Sequence, residues 1–147
     1  MKTRINVIEK LPQATKALYA LSAYVESTPL TKTHKELLKI RASQINGCAF
    51  CIDMHTKDAI KYGETQQRIF LLNAWKETTL FTDEEKAVLA IAEEVTLISR
   101  RGLTDATYTL AKSFFTDEYI AQLIVAAVTI NAWNRLAVSS KLEPADV

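Results

Sequence analysis

Two cysteines three positions apart and a histidine four positions after the second, Cys48, Cys51 and His55, are the side chains of this sequence best suited to chemistry. They are the chain's only cysteines, and His55 is one of its two histidines. A disulfide across so short a loop is a poor structural staple, which leaves redox catalysis or metal binding as the uses to weigh. The redox use is two-electron chemistry: a thiolate attacks a peroxide oxygen or a disulfide sulfur, and the second thiol closes an internal disulfide. On a helix, the three residues fall at i, i+3 and i+7 and project along one face, which Ile52, Ala59 and Tyr62 extend. Asp53, Lys57 and Lys61 mark the opposite, solvated face. A helix start at Asn46-Gly47 places Cys48 in the first turn, where unpaired amides favour a thiolate, while His55 one turn beyond Cys51 favours Cys51 instead. From the residues alone the two thiols stay unranked.

Glu36, on the preceding helix, is the candidate to orient His55 by holding one ring nitrogen while the other serves Cys51. It competes with a local role, since Thr33 and Glu36 stand in capping-box spacing. A structural zinc site is the rival from another class, with Cys48, Cys51, His55 and either His34 or Glu36 as ligands. A domain with an ample apolar core has little need of such a staple, so no metal and no cofactor is expected. Haem attachment is excluded because Ile52, not histidine, follows Cys51. A thioredoxin-like fold lacks its strands here, and inert core cysteines would not share one stripe with a histidine.

The elements that position these residues read as helices throughout. Three glycines and three prolines in 147 residues leave little punctuation, and no segment alternates apolar and polar residues as a half-buried strand would. Pro12 opens a helix with Ala14, Ala17, Leu18, Leu21 and Val25 on one face, ended by Pro29. A second starts near Thr33, buries Leu37, Leu38 and Ile45, and stops at Asn46-Gly47. The dithiol helix follows, to Tyr62-Gly63. Thr65 opens a short helix through Ile69, Phe70, Leu72 and Trp75; Thr82 and Glu85 box the start of another carrying Ala87, Ala90, Ile91, Val95 and Ile98; Thr104 opens a third with Tyr108, Ala111 and Phe114. The last, from about Thr116 to Val138, is apolar nearly all round at first and belongs at the centre of a bundle or an oligomer. On it Asn131, Asn134 and Arg135 form a polar stripe that needs cap or intersubunit partners. Trp75 and Trp133 read as packing residues, and Phe50 and Met54 as a second face able to meet another subunit.

Composition sets outer bounds. The chain is 48% hydrophobic and 24% charged with net charge +1, the profile of one soluble globular domain over 1–147. Without a basic block there is no charge-based attraction to nucleic acid or an anionic membrane. The opening MKTRINVIEK has no apolar run of signal-peptide length, and the longest apolar stretch, Ile120 to Ile130, is too short to span a bilayer, so a cytoplasmic location is expected.

The run Glu36-Leu-Leu-Lys-Ile-Arg-Ala-Ser-Gln-Ile-Asn-Gly-Cys48-Ala-Phe-Cys51-Ile-Asp-Met-His55 resembles the core of the alkylhydroperoxidase AhpD-like proteins of the carboxymuconolactone decarboxylase superfamily. Asn131-Ala-Trp133-Asn134-Arg135-Leu is similar to that family's final helix, so the resemblance covers about 11–138. It implies an all-α, AhpD-like multi-helix bundle that packs as a homotrimer or homohexamer. It also implies a thiol-dependent peroxidase that reduces hydroperoxides and draws on a dithiol reductant, of lipoyl type. By the same analogy Cys51 is oxidised by peroxide, Cys48 resolves, and His55 with Glu36 relays protons. The founding members carry a second histidine just before the second cysteine, where this chain has Phe50, so a relay of two imidazoles is incomplete here. Related decarboxylases generally lack the dithiol, which counts against lactone decarboxylation; a non-redox member of the superfamily or a structural zinc-binding protein is the alternative reading.

Overall fold

A computed structural model of the chain describes residues 4–144; the outermost three residues at each end of the expected 1–147 domain lie outside the described residues. Those described form helices and connecting turns with no β-strand among them, so the all-α expectation holds. The helices are α1 (Val7–Lys10), α2 (Pro12–Ser27), α3 (Lys32–Asn46), α4 (Ala49–Lys61), α5 (Gln66–Leu71), α6 (Asp83–Thr96), α7 (Ile98–Arg101), α8 (Asp105–Lys112) and α9 (Asp117–Ser140), with a 3₁₀ segment, Leu72–Glu77, after α5. Helix α3 is the hub and packs on α4, α6 and α9.

Most starts follow from side-chain caps, as the sequence indicates. Thr65, Thr104 and Thr116 each accept a backbone N–H of the following first turn, and Thr82 and Glu85 form a full capping box. Helix α6 stops at Thr96, and Ile98, expected on its stripe, instead opens α7 and is exposed. Phe70 is likewise exposed rather than buried.

Two starts differ from expectation, and both bear on the dithiol. Helix α3 is capped by Thr31, whose side chain accepts the His34 amide, not by Thr33. Lys35 explains the choice: its ammonium donates to the carbonyls of Glu26 at 2.7 Å and Thr28 at 3.3 Å, fixing the turn so that the chain enters the helix at Thr31. Glu36 then lies beyond the first turn and is released from any capping duty. Helix α4 is capped by Cys48 itself, one residue later than Gly47 and two later than Asn46, and just outside the first turn. Gly47 is consumed in ending α3, in the left-handed conformation at φ 66°, which glycine adopts without strain. Asn46 is drawn away towards α9.

That last contact is the work of the polar stripe on α9. Asn46 Nδ2 donates to the Oδ1 atoms of Asn131 and Asn134, each at 2.9 Å, and Asn134 Nδ2 donates to Ser43 Oγ at 2.9 Å. Asn131 also donates to Thr96 Oγ1, and Arg135 donates back to Asn131. The stripe therefore finds its partners inside the chain and clamps the end of α3, where the Ser43 carbonyl accepts the Cys48 amide at 3.0 Å. Asn134 is fully buried, so Asn134→Ala is expected to lower stability by about 1–3 kcal/mol through the unpaired groups it leaves. An unchanged urea midpoint would show that the clamp carries no weight.

Helix α9 has the length and hydropathy of a membrane span, a property the search for apolar runs missed, yet 56% of that window is buried against the other helices. It is the core helix expected for the bundle centre, with Leu123, Ala126, Ala127 and Ile130 in a cluster with Leu38, Ile91 and both cysteines. Helix α2 departs most from its expected stripe: Val25 is buried, Leu18 and Leu21 are half-buried, and Ala14 and Ala17 are exposed. It roofs a cavity instead of closing a packed core.

Candidate active site

Cys48 and Cys51 are both 2% exposed and lie at disulfide-bonding distance, with their Cα atoms 5.4 Å apart. The Cys51 amide donates to Cys48 Sγ at 3.3 Å, so the sulfur takes the place of the hydroxyl that usually caps a helix. One turn on, His55 is buried on the same face, followed by Ala59, whereas Ile52 is half-buried and Tyr62, expected to continue that face, is exposed. Lys57 and Lys61 are exposed, as expected, and Asp53 is half-buried.

Glu36 reaches this face from α3. Its Oε2 accepts a hydrogen bond from His55 Nδ1 at 2.9 Å. Because an ionised carboxylate can only accept, Nδ1 carries the proton and Nε2 is left able to take one. Burial works against charge on Glu36. The hydrogen bond from His55 and the neighbouring Lys39 ammonium outweigh it, so the carboxyl stays below its ordinary value. Lys39 donates to Glu36 Oε1 at 3.0 Å and to Glu26 Oε1 at 2.6 Å. Burial would lower the Lys39 pKa, but the two carboxylates raise it. Sequence reasoning missed Lys39 and Glu26; the i, i+3 spacing of Glu36 and Lys39 was the one available signal.

Helices α2, α4 and α9 enclose a cavity of about 460 Å³ beside these residues, a size suited to a small organic molecule. Its walls are largely apolar and aromatic, among them Tyr19, Val25, Phe50, Met54, Ile130 and Trp133, and Glu36, Lys39 and His55 supply polar edges. Cys51 lines it and Cys48 does not, an asymmetry that helical spacing could not reveal. Phe50 and Met54 thus face this space, and Trp133, beyond packing, donates to Ser22 Oγ at 2.8 Å.

The donor set imagined for zinc is not brought together. The two sulfurs face each other, and His34 is held at the far end of α3, its Nδ1 2.7 Å from Tyr119 Oη and its ring edge-on to Phe115. Glu36, His55 and Asp58 do offer ligand atoms within 4.8 Å of one another. Lys39 and Lys61 already occupy the carboxylates of Glu36 and Asp58, so the cluster is a self-satisfied ionic network.

The chain is similar to known proteins along most of its length. Residues 9–94 match the Carboxymuconolactone decarboxylase family. The uncharacterized protein YdfG of Bacillus subtilis (strain 168) is 40% identical over 139 residues, 95% of either chain. A crystal structure from Agrobacterium tumefaciens, of a protein of unknown function assigned by inference to antioxidant defence as AhpD, superposes with a TM-score of 0.94 at 41% identity. The match covers 97% of this chain and 98% of that one. An alkylhydroperoxidase AhpD core from Ralstonia eutropha JMP134, an uncharacterized peroxidase-related protein, shares the fold at a TM-score of 0.84 and 20% identity, covering 95% of this chain and 75% of that one. With a family match over more than half its length and relatives this similar along nearly all of it, the chain belongs to the carboxymuconolactone decarboxylase family, in its AhpD-like branch.

Proposed function

We propose that the protein is a cytoplasmic thiol peroxidase that reduces organic hydroperoxides through a Cys48–Cys51 dithiol/disulfide cycle. The observation that carries this reading is the asymmetry of the pair: Cys51 and His55 line the cavity, while Cys48 sits behind, at bonding distance from Cys51. His55 Nε2 accepts the Cys51 proton, with Glu36 holding the imidazole through Nδ1. The thiolate attacks the terminal peroxide oxygen, the O–O bond breaks, and the alkoxide takes a proton to leave as alcohol. Cys51 is then a sulfenic acid. Cys48 attacks its sulfur, water departs with the displaced oxygen, and the disulfide closes; an external dithiol, of lipoyl type, reduces it and becomes a disulfide itself. The apolar walls favour organic hydroperoxides over hydrogen peroxide.

Exposed Tyr19, Met54 and Tyr62 border the same cavity, so a neighbouring copy seated on α2 and α4 would cover apolar surface, in keeping with a homotrimer or homohexamer. The test is consumption of cumene hydroperoxide by the reduced protein with a dihydrolipoyl donor. Sustained, protein-dependent turnover is expected. No turnover with any dithiol would refute the reading.

A further inference from the structure

Lys39 stands at the centre of a line of charges that runs from solvent to the imidazole. Glu26, whose side chain is 56% exposed, meets the Lys39 ammonium at 2.6 Å. That ammonium, on a side chain 13% exposed, meets Glu36 Oε1 at 3.0 Å. The other oxygen of Glu36 meets His55 Nδ1 at 2.9 Å. We propose that Lys39 is a positioning residue for the candidate relay: by anchoring Glu36 Oε1 it keeps Oε2 aimed at His55 as an acceptor, and so fixes the ring with Nε2 free to take a proton. The proposal rests on reading Cys51, His55 and Glu36 as a relay, but not on any turnover.

The geometry supplies the reason. A carboxylate held at one oxygen turns about its last side-chain bond, and a carboxylate held at both does not. Lys39 lies one turn beyond Glu36 on α3 and reaches back to it, while Glu26 on α2 secures the same ammonium from the opposite side. The contact of α2 with α3 thereby reaches the imidazole without touching it. A buried carboxylate also needs a compensating cation to stay charged, and a neutral Glu36 would no longer act only as an acceptor towards His55.

The charged and titratable groups around Lys39 are few enough to apportion. Helix α2 contributes Glu26 and the Tyr19 phenol, and α4 contributes His55 and Asp58, with Tyr62 at its end. On α3, Lys35 lies 3.7 Å from Glu26 and, like Glu36, shares that carboxylate's neighbourhood. Helix α9 faces the cavity with the uncharged Thr129 and Trp133. Lys32 and Glu64 border Glu36 from a second, small pocket. Among the described residues Lys39 is the lysine paired with Glu36, and its loss is expected to raise the pH at which Glu36 takes a proton.

The test follows the Glu36 carboxyl carbon and the ring nitrogens of both histidines by NMR as pH is varied, in wild type, Lys39→Met, Lys39→Gln and Lys39→Arg. In Lys39→Met the Glu36 titration is expected to move up by about one pH unit, and His55 to lose its single-tautomer signature. His34, which contacts Tyr119 and Phe115 instead, serves as the internal control and should not change. Lys39→Arg should restore both signals. Lys39→Gln, which keeps a hydrogen-bond donor without the charge, should raise the Glu36 titration alike if the methionine variant fails to fold. An unchanged Glu36 titration and His55 tautomer in a folded variant lacking the cation would overturn the proposal. No peroxide enters these measurements, so a wild type inert towards hydroperoxides that still gives the expected shifts refutes the peroxidase reading alone.

Discussion

Replacing Cys51 by serine is expected to reduce dithiol-dependent hydroperoxide turnover to background, a loss on the order of 10³-fold or more, as for removal of a covalent nucleophile. A serine hydroxyl is not ionised at neutral pH and forms no stable bond to the peroxide oxygen, so neither the sulfenic acid nor the disulfide can arise. The Cys48→Ser variant should behave differently. It keeps the thiol that lines the cavity, consumes about one equivalent of peroxide per chain, and stops with Cys51 as a sulfenic acid that dimedone traps. Both variants should fold, because each exchanges one small buried side chain for another. If Cys48→Ser were instead the variant that never reacts with peroxide, the roles given to the two thiols would be reversed.

The second large effect is expected at His55. With alanine there, Cys51 loses the base that takes its proton, and hydroperoxide reduction should fall by about 10²–10⁴-fold. Glu36→Gln retains the ring but not the charged acceptor, so a smaller loss, about 10–100-fold, is expected. The glutamine also leaves Lys39 with Glu26 as its remaining carboxylate partner, which separates its effect on stability from that of His55→Ala. Stopped-flow oxidation of the reduced protein measures both losses before the resolving step. Equal rates in Glu36→Gln and wild type would remove Glu36 from the relay.

How much of this was legible in the sequence depends on the range of the interaction concerned. The longer helices, most of their threonine caps and the shared face of Cys48, Cys51 and His55 follow from local spacing, and the structure has them, whereas the short α1 and α7 and the end of α5 at Leu71 were not foreseen. The cap of α3 was misplaced by two residues because Thr31 and Thr33 are chemically alike. What decides between them is the reach of Lys35 to the carbonyls of Glu26 and Thr28. That shift settles the competition over Glu36 in favour of His55. Cys48 escaped notice as a cap because sulfur is a rare one, and Asn46 was spent on a contact 85 residues distant in the sequence.

The difference between the two thiols was not legible in helical spacing, and only the family resemblance ranked them. It depends on which sulfur borders a cavity that α2 and α9 complete from the two ends of the chain. Lys39 was hidden for a similar reason, since a lysine at helical spacing from a glutamate reads as an ordinary surface pair until burial is known. Phe50, at the position where the resemblance leads one to look for a second histidine, is part of the apolar wall of the cavity.

On the proposed cycle this dithiol is oxidised by an organic hydroperoxide entering beside Cys51. The most direct test is the mass of the fully reduced protein after one equivalent of cumene hydroperoxide, with peptide mapping. The protein is expected to lose two hydrogens, mapped to a bond between Cys48 and Cys51, with the peroxide recovered as its alcohol. Two free thiols and intact peroxide after the same exposure would contradict the cycle.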